Sequence, residues 1–116
     1  MIVVPAERIA YFKKRGWWGD VRVDDLFEKH VREKTDKEAC VDPINAMDIV
    51  GREPKRLTWW QLEDLVGRYA AVLTAHGLHK DDAIVVQLPN LVDLLAIYLA
   101  CARLGAPHTV VFGGFS

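Results

Sequence analysis

With 116 residues, 51% of them hydrophobic, the chain is long enough for one domain with a modest core and too apolar to be disordered throughout. Fifteen basic residues stand against sixteen acidic ones, so no bulk field draws in nucleic acid or an anionic membrane, and neither is expected as a partner. Cys40 and Cys101 lie in apolar runs where a free thiol is a small buried hydrophobe, and the short apolar start before Pro5 is no signal-peptide core, so a cytoplasmic protein is expected.

Residues 1–20 gather Tyr11, Phe12, Trp17 and Trp18 around the basic run Lys13-Lys14-Arg15. Such a segment lays its rings on a neighbouring surface and leaves its charges in water. The alternative, stacking of nucleic-acid bases on the tryptophans, is disfavoured by the lack of a basic stripe elsewhere. Asp24 is placed to cap a helix whose apolar edge is Leu26, Phe27, His30 and Val31, with Glu28, Arg32, Glu33 and Lys34 outside it. His30 on that edge reads as a packed, hydrogen-bonded side chain rather than a ligand or a base. Residues 38–42 predict a short strand stopped by Pro43, residues 48–55 a polar loop with Gly51 and Pro54, and residues 56–58 a hairpin arm pairing back.

Thr58-Trp59-Trp60-Gln61 has the spacing of a capping box, and starts a helix with the core stripe Leu62, Leu65, Val66, Tyr69, Ala70 and Leu73. Glu63, Asp64 and Arg68 are expected to face away, and Gly77 to supply a left-handed stop. His76 and His79 are spaced like a ligand pair, but two ligands make no metal site, and a histidine in a helix's last turn is explained by the dipole. The apolar, β-branched run 83–88 then predicts a strand ended by Pro89-Asn90. Residues 91–104 predict a helix apolar on nearly every face, with Asp93 and Arg103 at the ends that suit their charge and Gly105 as its stop; it is too short to span a membrane. Residues 109–112 give a second strand. Two buried strands joined by a buried helix call for a βαβ crossover in a parallel sheet, hence an α/β fold of three layers.

No phosphate-binding P-loop, dinucleotide fingerprint, nucleophile elbow or metal cluster is present, so the residues alone carry no catalytic constellation. The one glycine-rich element is Gly113-Gly114, between Phe112 and Phe115 after the second strand. Ligands of open α/β sheets bind at that edge, where glycines let a backbone come close; the competing reading is a plain turn after a buried strand.

Several segments resemble, in order and spacing, the N-terminal part of AMP-forming acyl-CoA synthetases. Arg56-Leu57-Thr58-Trp59-Trp60-Gln61-Leu62 is similar to that family's L-T-Y-x-E-L, and the segment 77–82 to G-[VLI]-x-x-G-D. The strand ending Leu88-Pro89-Asn90 and the run Arg103-Leu104-Gly105-Ala106 also match, and residues 37–42 look like P-D-x-x-A-L-V-D. The tail from His108 to Ser116 is similar to that of acetyl- and propionyl-CoA synthetases, whereas the tryptophan-rich start looks closer to ligases of medium-chain or aromatic acids. Asp81 stands where the family usually has glycine and Ala83 where arginine is common, which predicts a differently built turn before the strand.

The resemblance implies an incomplete N-terminal part of an adenylate-forming ligase domain, with residues 1–22 as an extension and 23–116 as the α/β scaffold. It also implies a parent enzyme of fatty-acid metabolism that uses ATP, Mg and CoA on a small carboxylic acid. In that parent Phe112, Gly113 and Gly114 would lie on the approach of CoA, and no catalytic residue is expected in this chain, which is expected to be inactive alone. Two other readings compete: a stand-alone binding module for a nucleotide or coenzyme, and a structural domain. Self-association into a homo-oligomer through exposed apolar surface is expected.

Overall fold

The computed structural model describes residues 4–112. In chain order they form α1 (Ala6–Lys14), α2 (Val23–Glu33), β1 (Glu38–Val41), α3 (Ala46–Val50), β2 (Arg56–Thr58), α4 (Trp59–Ala75), β3 (Ile84–Leu88), α5 (Val92–Leu104) and β4 (His108–Phe112). Strands β1 and β2 pair antiparallel, with an irregularity between Glu38 and Cys40. Strands β3 and β4 pair in parallel on either side of α5 in sequence, from Ile84 opposite His108 to Leu88 opposite Phe112. The chain is therefore a mixed helix–strand unit with a small parallel sheet, an incomplete α/β domain in which the expected crossover is present.

The core lies among the helices. Phe27 of α2, Leu62, Val66 and Ala70 of α4, and Ala96, Leu99 and Ala100 of α5 form one buried cluster. Ala96 and Ala100 are four residues apart, hence on one face of α5, and small enough to let α4 approach closely. Helix α4 begins with the predicted capping box: Thr58 Oγ1 accepts the Gln61 N–H at 3.2 Å and Gln61 Oε1 accepts the Thr58 N–H at 2.9 Å. It ends as predicted, with Gly77 at φ 89° while Leu78 N–H reaches back to the Leu73 carbonyl at 3.0 Å.

Several expectations are corrected. Helix α2 starts two residues earlier than a cap at Asp24 predicts, with Arg22 in the capping position, so Asp25 and not Asp24 reaches back, accepting the Arg22 N–H at 2.8 Å. Asp24 instead turns inward, and Leu26 is half exposed although the 3/4 spacing puts it on the apolar edge. Residues 46–50 form a helix rather than part of a polar loop; the break signalled by glycine and proline is confined to residues 51–55. Glu63 does not face solvent but pairs with Arg103, its carboxylate accepting both guanidinium N–H groups at 3.0 and 2.8 Å. Asp81 holds the turn before β3 in the left-handed region, at φ 72°. The N-terminal aromatics pack on one another: Tyr11, Phe12, Trp17 and Trp18 have ring centroids 5.3–6.1 Å apart, and α1 buries none of its residues.

Candidate functional site

The carboxyl ends of β3 and β4 lie side by side, because Leu88 is paired with Phe112 in the last rung of the parallel ladder. Phe112 thus sits at the sheet edge where the sequence places it; Gly113 and Gly114 lie outside the described residues. Pro89 and Asn90 come directly after β3 and lead into α5, whose first turn is held from a distance.

Asp42, just past β1, is the centre of that hold. Its Oδ1 accepts the N–H of Val92, the first residue of α5, at 2.8 Å, and so satisfies one of the donors a helix start leaves open. Its Oδ2 accepts the Lys55 N–H at 2.9 Å and the Arg52 guanidinium at 2.5 Å. The other Arg52 nitrogen donates to Asp93 at 2.6 Å, and Asp93 also accepts from Lys55 Nζ at 3.1 Å and from the Tyr69 hydroxyl at 2.9 Å. Two carboxylates, two cations and a phenol therefore tie the end of β1, the segment 52–55, α4 and the start of α5 together.

Burial pushes both carboxyls up, but hydrogen bonds outweigh it. Asp42 ends below its usual range through the Val92 and Lys55 amides and Arg52, and Asp93 through Tyr69, Lys55 and Arg52. Burial and the neighbouring Asp93 push the Tyr69 hydroxyl up to about 12. A general base working near neutrality needs a pKa near 7, and none of these groups is tuned that way. The cluster holds geometry.

A shallow cleft of about 280 Å³ opens beside the turn after β3, lined among others by Cys40, Asn90, Leu91, Val92, Leu94 and Tyr98. Both cysteines are free, and burial pushes each thiol up, away from the thiolate a nucleophile needs. The histidines go where local structure takes them. His30 Nδ1 donates to the Leu26 carbonyl at 2.9 Å with its ring 5.0 Å from that of Trp59, and His76 Nδ1 donates to the Val72 carbonyl at 2.8 Å. His79 faces Asp82 instead, at 3.6 Å, so the two spaced histidines do not converge. Among the described residues no group of three or more His, Cys, Asp or Glu side chains could hold a metal ion, and no helix is long and apolar enough to cross a membrane.

Sequence reasoning places Asp93 only as a charge at a helix end and gives Asp42, Arg52 and Lys55 no role. Their partners lie 10 to 50 residues away, which no periodicity displays. The one available signal is the Val41-Asp42 pair closing the strand.

Comparison with known proteins bears on what this edge is for. A model of the family described as AMP-binding enzyme matches residues 27–116. The acetyl-coenzyme A synthetase of Allorhizobium ampelinum is 50% identical over 62 residues, 53% of this chain and 10% of that protein. The acetyl-coenzyme A synthetase of Shewanella frigidimarina is 36% identical over 95 residues, 79% of this chain and 14% of that protein. The chain thus spans between a tenth and a seventh of the length of these relatives. Among solved structures, the apo form of MbtA from Mycobacterium smegmatis superposes with a TM-score of 0.76 over 99% of this chain and 20% of that one, at 26% identity. The inhibitor-bound N-terminal domain of FACL13 from Mycobacterium tuberculosis shares the fold, with a TM-score of 0.69 over 82% of this chain and 22% of that one, at 24% identity.

Proposed function

The chain belongs to the AMP-binding enzyme family, and from that premise we propose that it forms N-terminal scaffold of an AMP-forming acyl-CoA synthetase. The reaction has two steps. A carboxylate attacks the α-phosphate of ATP to give an acyl-adenylate and pyrophosphate; the CoA thiol then attacks the acyl carbon, forming the thioester and releasing AMP. The observation that carries this reading is the family match running from α2 through β4, together with relatives named acetyl-coenzyme A synthetase. The substrate class is a small carboxylic acid, and free, unactivated thiols are in keeping with a cytoplasmic setting.

This segment is assigned no chemical step. Its part is positional. The Asp42–Arg52–Asp93 cluster fixes the start of α5 and the turn at Pro89 and Asn90 beside the edge where β4 ends at Phe112, and Phe112 with the next two residues in sequence, Gly113 and Gly114, is assigned to the approach of CoA. Ligands of open α/β sheets meet the carboxyl ends of the strands, which supports that assignment. The same reading includes self-association of the isolated chain, since Val85, Ile44 and Leu26 expose apolar area that stable monomers usually cover.

The test uses a full-length enzyme carrying this segment. Gly114→Leu is expected to slow thioester formation and raise the apparent KM for CoA, while carboxylate-dependent ATP–pyrophosphate exchange stays near wild type. Equal loss of both half-reactions would reduce Gly114 to a turn residue, and no change in either would remove the loop from the CoA path.

A further inference from the structure

Residues 5–20 are the part of the chain least explained by the scaffold. Helix α1 buries no residue, and its aromatic and basic side chains make ring, cation and salt contacts with one another inside the segment. Arg8 lies 5.4 Å from the centre of Phe12 and Arg15 5.0 Å from that of Tyr11, and Lys13 pairs with Asp20. The result is a small prefolded arm that still exposes 63% of Trp17 and 42% of Trp18. The radius of gyration, 16.5 Å against about 13 Å expected for a compact chain of this length, fits an arm standing off the body.

Directly after the arm comes an apolar groove of about 250 Å³ between α2, α4 and α5, lined by Val23, Leu26, Phe27, Trp59, Leu95 and Leu99 among others. Its rim is open, with Val23 64% and Leu26 52% exposed. Charge separates the two parts. The arm carries Arg8, Lys13, Lys14 and Arg15 against Glu7 and Asp20, two positive charges net, which leaves three negative on the remainder of a chain whose total is −1. Beside the groove, Asp25 and Glu28 stand at the surface in the first turns of α2, each paired locally, with Arg22 and Arg32, and the arm's helix ends in Lys13 and Lys14.

We propose that the arm of one copy docks its tryptophans in the α2–α4–α5 groove of a second copy, and receives that copy's arm in return. This names the surface for the self-association proposed above and rests on that reading. An exchange of arms is isologous, so one pair of complementary patches used twice closes a dimer and leaves no open end. An indole brings a large apolar area to a groove of this size, and the basic end of the arm meets the acidic start of α2.

Sedimentation equilibrium of the 116-residue chain tests this, with circular dichroism to verify the fold of each variant. Wild type is expected to reach twice its 13.1 kDa. The arm variant Trp17→Ala/Trp18→Ala and the groove variant Leu26→Glu should each weaken dimerisation at least roughly tenfold. Val23→Glu serves as a second groove variant should Leu26→Glu disturb α2. An equimolar mixture of arm and groove variants should regain a dimer, because one intact arm then meets one intact groove. A dimer that none of these variants weakens, or a mixture that stays monomeric, overturns the arm–groove pairing and leaves self-association standing. A wild type that is monomeric at every concentration overturns both.

Discussion

Helices α2, α4 and α5 bury Leu62, Val66, Ala96 and Ala100 almost completely, whereas the β3–β4 pair buries Val86 and leaves Val85 68% and Val110 41% exposed. The helical half closes over its own apolar stripe and is tied at both ends of α5, by Asp42 and Asp93 at the start and by Arg103 with Glu63 at the finish. The parallel pair has no such closure. Parallel sheets are stable when both faces are covered, so a bare two-stranded one is a joint awaiting neighbours. In this chain, then, stability resides in the helices, and the edge and faces of the sheet are left open.

The sharpest way to break that contrast is to compare one residue from each side. Leu62→Ala removes a side chain 1% exposed at the centre of the helical cluster and should cost about 2–5 kcal/mol in denaturant unfolding. Val85→Thr should stay within about 0.5 kcal/mol. Equal losses would mean that the sheet is as much a part of the core as the helices.

Asp42→Asn attacks the tie at the start of α5 and should cost about 2 kcal/mol at neutral pH, because the Val92 and Lys55 amides and the Arg52 guanidinium lose a charged acceptor. The pH dependence has a definite sign. Asp42 and Asp93 both have folded-state values below the unfolded one, so their contribution is present above the unfolded carboxyl pKa of about 4 and is lost as pH falls through the lower folded values. Tyr69 is shifted the other way; its contribution is complete below about 10 and is lost as pH rises toward about 12. Asp42→Asn should therefore flatten the acid limb of the stability curve and leave the alkaline limb in place, measured by the urea midpoint across pH.

A smaller effect is expected at the entry to the sheet. Asp81→Val places a β-branched residue at φ 72° and should lose about 1–2 kcal/mol. Asp81→Gly relieves the strain and should keep the stability or raise it by up to about 0.5 kcal/mol, the gain being limited by the freer unfolded chain. The midpoint of thermal unfolding reads both.

Local chemistry makes much of this legible. The capping box at Thr58 and Gln61, the stops at Gly77 and Gly105, and the β3–α5–β4 order all follow from residues within one turn or one strand of each other. What escapes is long-range. The shift from Asp24 to Asp25 depends on where α2 begins, which Arg22 decides through its own hydrogen bonds. Glu63 reads as solvent-facing because Arg103 lies 40 residues further on, and Asp42 reads as idle because Val92 lies 50 residues further on. In the aromatic arm the rings cover one another in part, a contact that composition does not display. For the candidate site, strand pairing puts Phe112 at the predicted edge, while the polar cluster supporting that edge leaves only the Val41-Asp42 trace in the sequence.

This chain is expected to supply position and no adenylation chemistry. Carboxylate-dependent exchange of labelled pyrophosphate into ATP, with acetate as the acid, tests it most directly on the purified 116-residue chain. Exchange no higher than a heat-inactivated control is the expected result. Exchange that rises with acetate concentration and with the amount of folded chain would contradict it, and would place an adenylation site among residues whose geometry here gives them only a structural role.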